Sequence, residues 1–459
     1  MITPHDYQSQ AVQDARCALK LRQRVLVTSP PGSGKTVMIA LLARISFEQD
    51  RRVLIIAQRR EILQQTHNHL HQLGVAEADI GAIYPEPDAA VDLTRPIQIA
   101  SAATLMRRDL HPVADTIILD EAHHAVADGH RGILEAYLHE RVVGFTATPI
   151  RMDGRGLGDI FDTLIIAAKP SALIQRNLLA NPRCFSAPEE FLPNLVGIRR
   201  ALGDFTPAGL DERINRETLV GNIVNEYQKR AGDHTALVFA ATLEHSRHIV
   251  ARFNAAGVPA EHLDGEAPMA DRDAIVDRLR KGVTRVVSNM GILHEGFDLP
   301  RTYAVVLARP TLSLCLYLQQ TGRALRRYGN RRPLILDHAR NVIRFGLPEA
   351  DREFSLTETI TVDERGSALV RRCEQCGALY AASCKACPEC GFVAVEPAPI
   401  PEETDVDLTE LTLQERQAFE QQLDAFLQRR GDHDPAWRAR VIELWTAYRS
   451  CPPPSRPSA

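Results

Sequence analysis

Residues 28–36 read Thr-Ser-Pro-Pro-Gly-Ser-Gly-Lys-Thr, and residues 117–123 read Ile-Ile-Leu-Asp-Glu-Ala-His. This pair limits the folds open to the chain more than any other feature. The first stretch follows the apolar run Arg24–Thr28 and opens a helical stretch, Val37–Ser46. Glycines accept the backbone angles that turn several N–H groups toward one point, so such a loop cradles phosphate oxygens. The second is an apolar strand ending in two adjacent carboxylates, which are costly to bury without a cation. Together they specify a site that holds a nucleoside triphosphate with Mg2+ and can hydrolyse it.

The rest of the pattern agrees with a parallel sheet covered on both faces. Short apolar strands at Arg24–Thr28, Val53–Ala57, Ile97–Ala100, Thr116–Leu119 and Val142–Thr146 alternate with helical stretches. A helix is expected from Thr3-Pro4 to about Lys20. A second alternating unit has strands at Ala236–Ala240, Ala260–Leu263, Arg285–Ser288, Ala304–Ala308 and Leu334–Leu336. The fold class is therefore α/β, with two tandem units of parallel sheet, the first carrying the phosphate loop. We expect these at 1–165 and 216–345, joined by a proline-rich connector at 166–215. A zinc-ribbon-like module at 368–395, a helical tail at 408–449 and a disordered end at 450–459 complete the expected order. At 459 residues the chain is too long for one ordinary core.

Within the loop, Pro31, Gly32, Ser33, Gly34, Lys35 and Thr36 are the expected nucleotide-binding residues. Lys35 reaches the β/γ-phosphates and the Thr36 hydroxyl holds Mg2+. Ser29 stands where such loops usually carry glycine or alanine. Asp120 belongs to the magnesium shell, and Glu121 orients or deprotonates the attacking water. A capped turn on a solvated edge is the competing reading of the two acids. In the second unit, Arg323 and Arg326 lie three residues apart on one helix face. By themselves they are equally a solvated basic face. Beside a phosphate loop they read as fingers that stabilise charge developing on the γ-phosphate.

Five of the nine cysteines fall within residues 373–390. Cys373-Glu-Gln-Cys376-Gly and Cys387-Pro-Glu-Cys390-Gly are two knuckles, and two knuckles make a tetrahedral Zn2+ site. Cys384 forms a rival pair with Cys387 but lacks the trailing glycine. Arg371, Arg372 and Lys385 suit phosphate contact. Cys17, Cys184, Cys315 and Cys451 are scattered and read as ordinary core or surface residues. The net charge of −4 gives no global basic signature, so any nucleic-acid surface is a local patch. No apolar run is long enough to span a bilayer, and the N-terminus lacks an apolar signal core. His67 and His71 share a helical face, read as solvated rather than metal-binding. Trp437 and Trp445 read as a core stripe.

The order of these motifs resembles that of the superfamily 2 helicases. Tyr7-Gln8 resembles the family's adenine-contacting glutamine element. Lys35 and Thr36 match motif I, and Ala57-Gln58-Arg59-Arg60-Glu61 resembles motif Ia. Ser101 to Thr104 resembles motif Ib, Asp120-Glu121-Ala122-His123 motif II, and Thr146-Ala147-Thr148-Pro149 motif III. Val238 to Thr242 resembles motif IV. Ser288-Asn289-Met290 through Glu295-Gly296-Phe297-Asp298 resembles motif V, which adds Gly296 and Asp298 to the expected nucleotide contacts. Gln319, Gly322, Arg323 and Arg326 match motif VI. The likeness covers residues 1–345, implies that both units are RecA-like P-loop domains, and is nearest to RadD-like bacterial and phage-encoded DEAH-type helicases.

The resemblance implies an ATP-driven motor on DNA in repair, recombination or replication, with DNA favoured over RNA. An RNA helicase and an ATP-gated annealing or remodelling protein are the alternatives. It implies backbone contacts by Arg59, Arg60, Ser101, Thr104, Thr242 and Asn289, a replication or repair protein as partner, no membrane, and a cytoplasmic, nucleoid-associated location. Some relatives carry a long strand-separating hairpin that residues 301–318 leave no room for. Translocation or limited unwinding is therefore expected.

Overall fold

The computed structural model describes residues 2–22, 24–58, 60–84, 91–126, 128–151, 153–188, 191–201, 203–293, 302–359 and 370–393. The proline- and acid-rich stretch 395–407, the helices of 408–449 with Trp437 and Trp445, and the tail 450–459 lie outside them. So do Arg59, Gly296 and Asp298.

The chain opens with α1 (Asp6–Ala18), β1 (Arg24–Thr28), α2 (Lys35–Phe47), β2 (Val53–Ala57) and α3 (Arg60–Gln72). Next come β3 (Ile80–Ile83), β4 (Ile97–Ser101), α4 (Ala102–Arg108), β5 (Thr116–Leu119), α5 (Asp128–Glu135), β6 (Arg141–Thr146) and β7 (Thr163–Ile166). These strands form a seven-stranded sheet in the order β3-β4-β2-β5-β6-β1-β7, with every pairing parallel. Residues of β1, β2, β5 and β6 are almost all buried, because helices cover both faces. One apolar layer packs α1 and α2 on the sheet, and another packs the α4 and α5 side. Helix α2 lies inside the first layer, and Val37–Ala43 are all buried.

A connector carries α6 (Pro170–Gln175), β8 (Arg183–Ser186), the small hairpin β9 (Arg200–Ala201) and β10 (Asp204–Phe205), and α7 (Pro207–Ile214). The second lobe adds α8 (Glu217–Arg230), β11 (Ala236–Phe239), α9 (Leu243–Ala255), β12 (Ala260–Leu263), α10 (Met269–Arg280), β13 (Val286–Asn289), β14 (Ala304–Leu307), α11 (Leu314–Thr321), β15 (Leu334–Asp337) and α12 (Asn341–Phe345). The cysteine module contributes β16 (Val370–Arg372) and β17 (Ala378–Ala381). The second sheet has eight strands in the order β12-β13-β11-β14-β15-β8-β17-β16.

Two features depart from the sequence reading. The first is β8, which falls in the stretch expected to connect. It pairs in parallel with β15, because Cys184 and Phe185 are apolar enough to be buried there between prolines 182 and 188. The second is the cysteine hairpin, which does not stand apart. β17 pairs antiparallel with β8, and Ala378 and Leu379 are buried against it. The hairpin covers what would otherwise be a bare sheet edge.

After α12 the chain returns to the first lobe. Leu356 O accepts the Gly158 N–H at 2.8 Å. The Asp351 carboxylate accepts from the Ser171 hydroxyl at 2.6 Å, and Lys169 pairs with Glu353 at 2.7 Å. Both lobes and the cysteine hairpin belong to one compact unit, residues 1–394. No helix of the described residues is long and apolar enough to cross a membrane.

Candidate nucleotide site

The loop after β1 is held by its neighbours and by itself. Gly32 and Gly34 have φ of 82° and 81°, angles that L side chains rarely adopt. The Ser29 and Ser33 hydroxyls bond each other at 2.7 Å, which gives the unusual Ser29 a function inside the loop. The Gln8 amide is fully used by the chain. Its Nε2 donates to Ser33 O at 2.9 Å, and its Oε1 accepts from His5 N at 2.9 Å. The Tyr7 hydroxyl also donates to Ser33 O. Tyr7 lies under the Arg176 guanidinium, 5.6 Å from its carbon to the ring centre. Lys35 and Thr36 open α2 and are half-buried.

Asp120 and Glu121 follow β5, two strands away from β1 in the sheet. Glu121 has φ of 46°, a left-handed conformation uncommon outside glycine. Asp120 Oδ1 accepts the Glu121 N–H at 2.9 Å. Glu121 Oε2 is buried and makes no hydrogen bond, although His123 Nδ1 lies 3.4 Å away. A buried carboxylate oxygen in that state calls for water or a hydrated cation. His123 is 2% exposed and bridges three elements. Its Nδ1 is 3.1 Å from Thr146 Oγ1, and its Nε2 is 3.1 Å from Gln319 Nε2 on α11. A neutral ring protonated at Nδ1 satisfies both, donating toward Thr146 and accepting from the Gln319 amide. Thr146 Oγ1 in turn donates to Thr148 O at 2.9 Å, and Thr148 Oγ1 lies 3.0 Å from Cys315 Sγ. The acid strand, the strand of motif III and the second lobe are thus joined by one polar chain.

The second lobe sits on the phosphate loop. Gly322 approaches Pro31 so closely that a Cβ built at 322 would lie 2.3 Å from Pro31 Cβ and 2.6 Å from its Cγ. A Cβ at Gly32 would meet Arg326 Cγ at 3.4 Å, so the Arg326 stem crosses the loop. Arg323 is 7% exposed on the same segment. Arg323 is buried and the Arg326 stem lies against Gly32, so the two are not a free solvated face.

The expected nucleic-acid contacts fare differently. Arg60 is exposed at the start of α3. Ser101, Thr104 and Asn289 are at most 1% exposed, and their side chains do not reach solvent. Asn289 is a structural residue here. Its Nδ2 donates to Val238 O at 2.9 Å and its Oδ1 accepts from Leu293 N at 3.2 Å. Thr242 caps α9 by accepting from His245 N at 3.0 Å, and its hydroxyl donates to Asp211. His67 pairs with Glu77 at 3.1 Å.

The cysteine hairpin brings four sulfurs together. Cys373, Cys376, Cys387 and Cys390 have their Sγ atoms within 4.8 Å of one another, and Cys384 is outside this group and exposed. Cys373–Cys390 and Cys376–Cys387 are 3.6 and 3.7 Å apart. Tetrahedral zinc with Zn–S of about 2.3 Å needs sulfurs roughly 3.8 Å apart, so the donor set fits that ion. Gly377 and Gly391 close the two knuckles at φ of 76° and 75°. Arg372 is tied up structurally, its Nε donating to Ser186 O at 2.8 Å.

Two stacked α/β lobes that meet at a phosphate loop and an acid-tipped strand define a nucleotide-driven, two-lobed P-loop ATPase. Residues 1–151 match the family model of the type III restriction enzyme res subunit, and residues 216–328 match that of the helicase conserved C-terminal domain. A 51.5 kDa protein of a Lactococcus phage is 31% identical over 369 residues, covering 80% of this chain and 77% of the phage protein. IRC3 of Saccharomyces cerevisiae, a candidate ATP-dependent helicase, is 28% identical over 352 residues, covering 70% of this chain and 49% of its own length. The chain therefore spans about half of that relative. In fold it is similar to the DNA-bound ATP-dependent type ISP restriction-modification enzyme LlaBIII, with a TM-score of 0.54 at 17% identity over 74% of this chain and 28% of that one. The chain belongs to the superfamily 2 helicases, and it is an ATP hydrolase.

Some of the site was hidden from the sequence. The contacts His123–Gln319 and Thr148–Cys315 join residues 196 and 167 positions apart, and no local pattern signals them. Arg176 over Tyr7 is likewise a product of the connector's path.

Proposed function

We propose that the chain is a DNA-directed translocase that opens duplex only locally. The observation that carries this reading is the seating of Gly322 and Arg326 on the phosphate loop. A motor gated by the γ-phosphate needs its second lobe to touch the loop that holds the phosphates. DNA is favoured over RNA by the restriction-enzyme family match and by the DNA-bound structural relative. Limited unwinding is favoured by the short path between β14 and α11, residues 308–313, which has no room for a long separating hairpin.

In this reading Lys35 and the loop N–H groups hold the triphosphate. Thr36 and Asp120 would hold Mg2+, which supplies neutralising charge on the β- and γ-phosphate oxygens. Glu121 takes the proton of the attacking water, and its unpartnered Oε2 is available for it. Arg323 and Arg326 neutralise charge that develops on the γ-phosphate. His123 reports the state of Glu121 to Gln319 and, through Thr146 and Thr148, to Cys315. Tyr7 and Gln8 grip Ser33 here, and adenine recognition by them requires that grip to change. Cys373, Cys376, Cys387 and Cys390 would hold a structural zinc. The lobes correspond to residues 1–165 and 216–345.

ATPase activity measured with single-stranded, duplex and forked DNA and with RNA tests the proposal. Stimulation by DNA is expected. Stronger stimulation by RNA would make the chain an RNA helicase. ATP-dependent annealing without strand or triplex displacement would make it a remodelling protein.

A further inference from the structure

The nucleotide loop lies at the carboxyl ends of the first sheet's strands. At the opposite end a cavity of about 460 Å³ opens between α1, the end of α2 and the strand starts. Arg16 and Cys17 come from the last turn of α1, and Lys20 from the turn that follows it. Arg51 comes from just before β2, while Thr116 and Arg141 begin β5 and β6. β2, β5 and β6 are neighbours in the sheet, so these three strand starts converge.

The lining is one-sided in charge. Four cations line it, and no carboxylate is among the described lining residues. Arg16 donates to Gln13 Oε1 at 2.7 Å. Among the described residues, the side chains of Lys20, Arg51 and Arg141 have no hydrogen bond or ion pair. The nearby Asp115 carboxylate is engaged elsewhere, accepting from Arg52 N at 2.8 Å. Burial and the Arg141 charge hold the Arg51 pKa below its ordinary value, with Asp115 opposing and Arg16 adding to the shift. Guanidinium groups held near each other with only Asp115 opposing are unfavourable. A second observation is independent of charge. Thr116 is 1% exposed, and its Oγ1 has no hydrogen-bond partner. Buried hydroxyls normally have one.

We propose that this cavity binds a phosphate-bearing small molecule of about mononucleotide size, at a site separate from the ATP loop. Its volume lies in the range of small-molecule sites, roughly 300–1,000 Å³. Guanidinium forks match phosphate oxygens in pairs, and a threonine hydroxyl completes such a set. The cavity is concave and faces away from the strand ends where the two lobes meet, which favours a compact ligand over a passing strand of nucleic acid.

Cys17 is exposed and lines the cavity, so it provides a local readout that does not depend on ATP hydrolysis. The full chain, with MgADP saturating the ATP loop, is treated with iodoacetamide, and Cys17 alkylation is followed by peptide mass spectrometry. Inorganic pyrophosphate is titrated in. Saturable slowing of at least threefold is expected, with the required concentration rising at least tenfold in Arg51→Gln and Arg141→Gln and severalfold in Thr116→Val. The Lys35→Ala variant should keep the protection. Equal slowing by sodium chloride at matched ionic strength would overturn the proposal. So would protection that survives the Arg51→Gln, Arg141→Gln and Thr116→Val changes, protection lost with Lys35→Ala, or protection given by single-stranded oligonucleotide alone.

Discussion

Gly322→Ala is the sharpest perturbation the structure offers, because it adds one methyl group and removes no chemistry. Gly322 ends α11 in right-handed helical geometry, with φ of −57° and ψ of −21°. Alanine suits that conformation, but within the second lobe the new Cβ would stand 2.9 Å from Leu318 O, which offsets the gain of about 0.4–1 kcal/mol that alanine brings at a helical position. Across the interface the new Cβ would stand 2.3 Å from Pro31 Cβ. Ordinary carbon contact begins near 3.8 Å, so the surfaces must part by about 1.5 Å. Misfits of this kind typically cost about 1–3 kcal/mol. At 1.4 kcal/mol per tenfold, the seated arrangement loses about 5- to 150-fold in population. DNA-stimulated kcat/KM should fall by a factor in that range. MgADP affinity should fall less than kcat/KM, because the loop residues from Gly32 to Thr36 are unchanged. Adding Pro31→Gly removes the obstacle and should return part of the loss, giving a coupling energy in a double-mutant cycle. Wild-type kcat/KM in Gly322→Ala would refute the claim that catalysis needs this contact. An equal loss of ADP binding would refute the claim that only lobe closure is affected.

Glu121→Gln should lower DNA-stimulated ATP turnover by about 10²- to 10⁴-fold while nucleotide affinity persists, and single-turnover kinetics with a nucleotide binding titration separate the two. Arg326→Ala should lower turnover by about 10³-fold or more with little change in melting temperature. Elemental analysis should find one zinc per chain, lost in Cys373→Ser. Because β17 is paired to β8, that variant should also melt earlier. Glu349 Oε2 is buried without a partner, and burial pushes the Glu349 pKa up to about 6, with Arg352 and Arg332 opposing. A carboxyl raised in the folded state binds its proton more tightly there, so stability falls as pH rises from about 4.5 through about 6. Glu349→Gln should therefore raise stability by up to about 2 kcal/mol at pH 8 and by little at pH 4, read from denaturant midpoints.

Legibility followed physical locality. β1, β2 and β5 have the bounds that their apolar runs suggest, because a strand buried on both faces is apolar at almost every position. β7 is four residues long and half exposed, so its run looks like loop. β8 is hidden among prolines because it only has to pair with β15 and β17. The loop and the two acids were legible because phosphate and cation chemistry fixes their residue types and spacing. Thr104 and Asn289, expected as backbone contacts, have buried side chains, and a polar residue in a motif does not reveal whether its partners are inside the fold. The cysteine choice was legible through Gly377 and Gly391, whose positive φ the knuckles require. That the hairpin would close the second sheet was not, because strand partners are set by which edge is bare.

The return of residues 351–356 to the first lobe has a mechanical consequence. The polypeptide crosses between the halves along the connector and comes back along this strap, anchored at Gly158 of the first lobe and at Lys169 and Ser171 where the connector begins. Two bodies fastened along two lines behave like a door on a pair of pins: they swing about one axis and resist twisting or drifting apart. Severing the outgoing segment would leave the halves attached through the strap.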